Sequence, residues 1–343
     1  MTEWWAFTAV GTAFDKTKRT LLEPFNAWTW LKLMVIVFFV GTGANRLGSQ
    51  FGNVVNYQAS PPDTKAYEQA INYILSDTTL IVILIGVFLL VILVALLFAY
   101  LRNVFSYVLI QALASGDVHI IKPFMENLGR GFRLFLFTLA VGLLAFAVII
   151  CLLIPMIASI IIGIKMGIIA LILAIPIFVI SLIIMIAFSI AVSIFVGFTY
   201  DFVAPMVYFR GAGIIESWKW LWASIKKDWK QYGVYVIARW ALELGVGILL
   251  MFIALPIALI FIAALLVGII MAVAAAKASM ILTVVIGVAL LVLSAIFILI
   301  LMAITMPVAV YFRYYSLDVL KQIDPSSVVY SGRFSPPPSP PPA

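Results

Sequence analysis

Apolar and polar positions come in long blocks along this chain. Six apolar runs stand near Trp28–Asn45, Thr79–Leu101, Phe132–Ile164, Gly167–Tyr200, Gly233–Ala272 and Ser279–Phe312, and they fall into three pairs. A basic, aromatic-rich segment precedes each pair. A helix crossing about 30 Å of hydrocarbon needs roughly 20 apolar residues at about 1.5 Å each. The last four runs are longer than a perpendicular span, so they tilt, kink or project. The runs show no alternation of period two, which argues for helices over a barrel. The pattern predicts an all-α integral membrane protein with about six transmembrane helices in three tandem pairs, flanked by cytoplasmic interfacial amphipathic helices.

Composition agrees. The chain is 65% hydrophobic and 10% charged, against about 25% charged in soluble domains. Three regions are expected. Residues 1–27 form an interfacial segment, 28–324 the helical membrane domain with an outside loop at 46–77, and 325–343 a Pro/Ser-rich disordered tail. Pro155, Pro176 and Pro256 stand inside runs as candidate kink points. The stretch ending at Tyr200 is broken only by Lys165 and has room for a re-entrant segment.

Charge sets the expected orientation. Of the 21 Lys and Arg residues, only Arg46, Lys65, Lys165 and Lys277 fall on one side of the predicted spans. The positive-inside rule then puts both termini in the cytoplasm of a multi-pass cell-membrane protein. The net charge of +7 belongs to these flanks, where cations mix with Trp, Tyr and Phe. That mixture suits anionic headgroups of the inner leaflet and not nucleic acid. Candidate headgroup contacts are Trp4, Trp5, Lys16, Lys18 and Arg19 at the N-terminus. Arg130 and Arg133 follow at the entry to the third run, and Lys226, Lys227, Trp229 and Lys230 before the fifth. Trp4 and Trp5 have a second reading, packing against the bundle itself. Ile214, Trp218, Leu221, Trp222 and Ile225 are expected on one apolar side of an amphipathic elbow. Charges at the N-terminus follow its aromatic face, the reverse of a secretory signal.

A weak internal repeat is visible. Arg130-Gly-Phe132-Arg133 resembles Lys227-Asp-Trp229-Lys230, and the run from Pro205 to Arg210 resembles that from Pro307 to Arg313. The segments Phe14–Arg19, Pro24-Phe25, Trp28–Lys32 and Tyr200–Pro205 through Trp218 and Trp229 resemble a group of poorly characterised archaeal multi-pass membrane proteins. They are also similar to the membrane domain attached to some glycerophosphodiester phosphodiesterases. The resemblance implies a helical membrane domain and no defined reaction, because the hydrolase domain has no counterpart here. The gate motif of mitochondrial solute carriers does not follow Pro155 or Pro256.

Chemistry is sparse. The single His119 and single Cys151 form no metal-ligand spacing and no internal disulfide. No phosphate loop, nucleophile elbow or paired carboxylates appear. The candidate intramembrane polar pair is Arg239 and Glu243, four apart and therefore on one helix face. These readings predict a non-enzymatic protein without cofactor, a structural or interaction subunit that organises lipid or a membrane complex. The alternative is a transporter or channel for a small or amphipathic solute. Expected partners are anionic lipids, a membrane protein or a second copy of the chain.

Overall fold

The computed structural model describes residues 4–41, 78–165, 168–277 and 279–330. Among these residues the chain is helical, with no strand. The elements are α1 (Trp5–Leu21), α2 (Ala27–Val40), α3 (Thr78–Ser115), α4 (Ile121–Lys165) and α5 (Ile168–Phe198). A π-helical turn (Thr199–Val203) leads into α6 (Ala204–Arg210), followed by α7 (Ile214–Lys227), α8 (Trp229–Ala276) and α9 (Met280–Ile323).

Among the described residues five stretches are long and apolar enough to cross a membrane: α3, most of α4, the run from Ala174 through α6, α8 and α9. Their most apolar windows are at most 6% buried within the protein. Water does not tolerate so large an apolar surface, and a bilayer does; the chain is a multi-pass membrane protein. Within the described residues the first expected run forms the 14-residue α2, capped at its start by Asn26, which accepts from the Trp28 and Thr29 amides. Gly41 ends it at φ 72°, a conformation that favours glycine. The rest of that run and the expected outside loop lie outside the described residues. Around Lys165 the chain forms two long helices, α4 and α5, packed against each other. The helices continue through Pro155, Pro176, Pro256 and Pro307.

The chain divides into two compact units. One comprises Asn26–Phe105 and Leu249–Ala309. In it Leu33, Ile36, Val37 and Val40 give α2 a buried face, and Phe39 stacks on Phe105 at 4.6 Å. Phe261 of α8 stacks on Phe297 of α9 at 4.0 Å. Gly268 lets the two helices approach closely, since a Cβ there would lie 2.3 Å from a methyl of Leu290.

The other unit comprises the N-terminus to Phe25, Ser106–Ile248 and Val310 onward. Its core is aromatic: Tyr107, Phe202, Tyr235, Tyr314 and Tyr315 are fully buried. Helix α1 turns an inward face of Ala6, Ala9, Ala13, Thr17 and Leu21 onto this core. Three alanines permit close helix packing, and the polar contacts are specific. Thr8 donates to Gln322 at 2.8 Å, Thr20 shares a 2.8 Å hydrogen bond with Tyr314, and Lys16 pairs with Asp318.

The same unit fastens the chain after α9. Ser327 and Val328 are buried, and the Tyr330 hydroxyl donates to Asp318 at 2.8 Å. The first residues of the expected tail, 325–330, thus pack onto the unit, and 331–343 lie outside the described residues. Burial, and then the Asp318 carboxylate, raise the Tyr330 pKa well above the ordinary phenol value. Burial lowers the Lys16 pKa, against the opposing pull of Asp318. A phenol raised on folding contributes stability that is whole below its unfolded pKa of about 10 and is lost as pH rises beyond it. Tyr330→Phe is therefore expected to cost about 1–2 kcal/mol at neutral pH, with the deficit shrinking above pH ~10. Denaturant titration at neutral and alkaline pH checks both; a pH-independent deficit would remove the Asp318 contact as its cause.

Candidate functional site

The site grows from a defect in a helix. After Phe198 the chain widens into the π turn, and the Ala204 amide bonds back five residues to the Thr199 carbonyl. In that register the next amide would serve the Tyr200 carbonyl. Residue 205 is proline and has no N–H. Arg313, 8% exposed, supplies the missing donor: its Nη1 bonds the Tyr200 carbonyl at 2.8 Å, and Nη2 bonds Ser106 Oγ at 3.1 Å. A carbonyl left by its amide donor still needs a partner, and a guanidinium from α9 bonds the backbone of this distant turn.

The same turn carries Asp201, 5% exposed. Its Oδ2 accepts from the Tyr235 hydroxyl at 3.0 Å and from Arg239 Nη1. Arg239 Nη1 also donates to the Tyr235 oxygen at 2.9 Å, while its Nε donates to Glu243 Oε1 at 3.1 Å. Tyr235 stacks on Tyr315 at 5.6 Å, and Arg239 lies over the Phe312 ring at 5.8 Å. Two carboxylates and two guanidiniums thus meet in one aromatic enclosure, with formal charges in balance. The Tyr107 and Tyr315 hydroxyls are buried without a hydrogen-bond partner among the described residues.

The Arg239–Glu243 spacing was readable in sequence, and the larger network was not. Asp201 stands beside an interhelical connection and reads there as local counter-charge. Arg313 reads as one more flanking cation. The signal that points to them is an acid four residues before a proline at the end of an apolar run.

The other sequence candidates separate by exposure. Trp4 is 38% exposed, Phe7 and Phe14 more so, and Trp5 packs edge-on against Tyr232 at 6.1 Å. Lys16 faces inward to Asp318, Lys18 pairs with Glu23 at 2.9 Å on the surface, and Arg19 is exposed. Arg130 bonds Asn127 at 3.0 Å and lies over Tyr208 at 5.6 Å, beside a cavity of about 310 Å³ that Gln111, Ser115 and Glu126 also line. Arg133, Lys226, Lys227, Trp229 and Lys230 are exposed.

Helix α7 departs from the expected apolar side. Ser217 and Leu221 are buried, whereas Ile215 and Trp222 are 67% and 56% exposed. Leu221 and Trp222 are neighbours in sequence and lie about 100° apart around a helix, so packing can bury the first while the second points outward. The outward stripe is Ile215, Lys219, Trp222 and Lys226, at spacings that keep all four within about 60°. Lys226 lies 5.9 Å over the Trp222 ring.

The sequence profile of one family matches residues 4–330. The chain belongs to DUF7544, a family of unknown function. The match takes in every helix of this DUF7544 protein described above, from α1 through the fastened Tyr330. No curated protein and no solved structure matches it. Among its described residues no group of three or more His, Cys, Asp or Glu side chains is placed to hold a metal.

Proposed function

We propose that this protein is a non-enzymatic structural or interaction subunit that organises anionic lipid, or a membrane complex, at the inner leaflet of the cell membrane. In this reading six spans run as three tandem pairs with both termini in the cytoplasm. The likeness to archaeal multi-pass proteins and to phosphodiesterase-attached membrane domains then concerns architecture alone. The observation that carries it is the outward stripe of α7, where Ile215 and Trp222 alternate with Lys219 and Lys226. Exposed Trp suits the headgroup layer. Lys stems lie along apolar surface while their ammonium groups reach anionic phosphate. The exposed Trp4, Phe7 and Phe14 of α1 add a second aromatic surface.

The test is the lipid composition of bilayer discs cut around the protein from vesicles of phosphatidylglycerol and phosphatidylcholine. Phosphatidylglycerol is expected at least twofold above its bulk share. A shell identical to bulk would sink the lipid-organising role. Native mass spectrometry of protein taken gently from its own membrane then reports any stoichiometric protein partner.

A second reading, a transporter or channel for a small or amphipathic solute, is favoured by the charge network, because ionised groups within spans often serve solute pathways. It requires Glu243→Gln to alter flux in proteoliposomes at unchanged protein content.

A further inference from the structure

We propose that a slot between α4, α5 and α7 holds one acyl chain of a phosphate-bearing anionic membrane lipid, with Lys219 at the headgroup. The inference rests on the lipid-organising reading and names its ligand and place. The slot has a volume of about 380 Å³ and is lined by Phe137, Phe195, Ile215, Trp218, Lys219 and Trp222.

Three observations select this occupant. The walls are apolar except for Lys219, and Phe137 and Phe195 belong to helices whose surface is apolar and outward-facing. The slot therefore continues the surface that hydrocarbon covers. Lys219 is exposed between Ile215 and Trp222, one helical turn from each, and Lys226 continues the same stripe. An ammonium at the rim of an apolar slot matches a phosphate at the end of a chain. The nearby acid, Glu216, is directed to the Gly213 amide at 3.4 Å.

The third observation is the indole of Trp218. Its ring stacks on Phe195 at 4.2 Å with planes 8° apart, which makes a flat, fixed wall. An extended acyl chain packs along such a wall by dispersion contact.

The test uses the full-length protein in detergent, titrated with phosphatidylglycerol or phosphatidylcholine and read by native mass spectrometry. One phosphatidylglycerol is expected to be retained at least tenfold more tightly than phosphatidylcholine. Lys219→Glu is expected to weaken it at least tenfold, and Lys122→Glu, at an exposed lysine outside both the slot and the α7 stripe, less than threefold. Trp218→Ala removes the stacked wall and is expected to weaken binding several-fold. Circular dichroism verifies that each variant is folded. Equal losses for the two lysine variants would mean diffuse attraction and overturn the slot, as would equal retention of the two lipids. Either failure leaves the enrichment of anionic lipid in the discs standing, so the slot and the broader reading fail separately.

Discussion

Asp201→Asn is expected to lower stability by about 3–5 kcal/mol, the range for breaking a buried ion pair by removing one partner. The amide keeps the shape and loses the charge. Arg239, with 19% of its side chain exposed, then faces the aromatic enclosure with Glu243 as its remaining ion-pair partner. Arg313, 8% exposed, loses the carboxylate that balances it nearby. Glu243→Gln offers the contrast. Its side chain is 29% exposed and its pair resembles a surface pair four apart on a helix, so about 1 kcal/mol or less is expected. Denaturation of both variants in the same detergent, followed by tryptophan fluorescence, decides the order. Costs within 1 kcal/mol of each other would place the centre of the network elsewhere than at Asp201.

Arg313→Met is expected to cost about 2–4 kcal/mol, because it removes the fork that bonds the Tyr200 carbonyl and the buried Ser106 hydroxyl. Arg313→Lys does not restore stability. One ammonium lacks the fixed fork that reaches a carbonyl and a hydroxyl together. The sharper test joins this change to Pro205→Ala. Alanine returns an amide N–H at position 205, and that amide serves the Tyr200 carbonyl itself. The double variant is expected to recover about 1 kcal/mol of the loss. Strict additivity of the two changes would show that the missing proline donor and the arginine are not coupled.

This coupling marks the limit of what the sequence disclosed. Pro205 and Arg313 are 108 positions apart, and they stand in two segments that sequence reading paired only as copies of a motif. Nothing local says that one repairs the backbone that the other interrupts. The Arg239–Glu243 pair was legible because a spacing of four is a property of one helix. Lys16 and Asp318 were not, since their meeting depends on α1 lying against α9. Lys16 consequently faces inward, although its neighbours Lys18 and Arg19 remain on the surface.

The amphipathic elbow shows the same division within 14 residues. The helix itself follows from spacing and composition. Its orientation does not: Ile214, Trp218, Leu221, Trp222 and Ile225 all appear apolar, and the packing buries Leu221 while it exposes Trp222. On the proposed lipid-facing reading this is the expected arrangement, because an indole on the outside is stable at an interface where it would be costly in water.

By itself the sequence determined that this is a helical, multi-pass membrane protein, because long apolar runs leave the backbone no other way to satisfy its hydrogen bonds in hydrocarbon. It also placed Arg239 beside Glu243, because helix geometry alone does so. The tertiary structure decided that Asp201 and Arg313 join them, that Lys16 turns inward and that the chain up to Tyr330 is fastened. Those contacts join segments far apart in the chain, and whether two such segments meet depends on how whole helices pack, which no local pattern encodes.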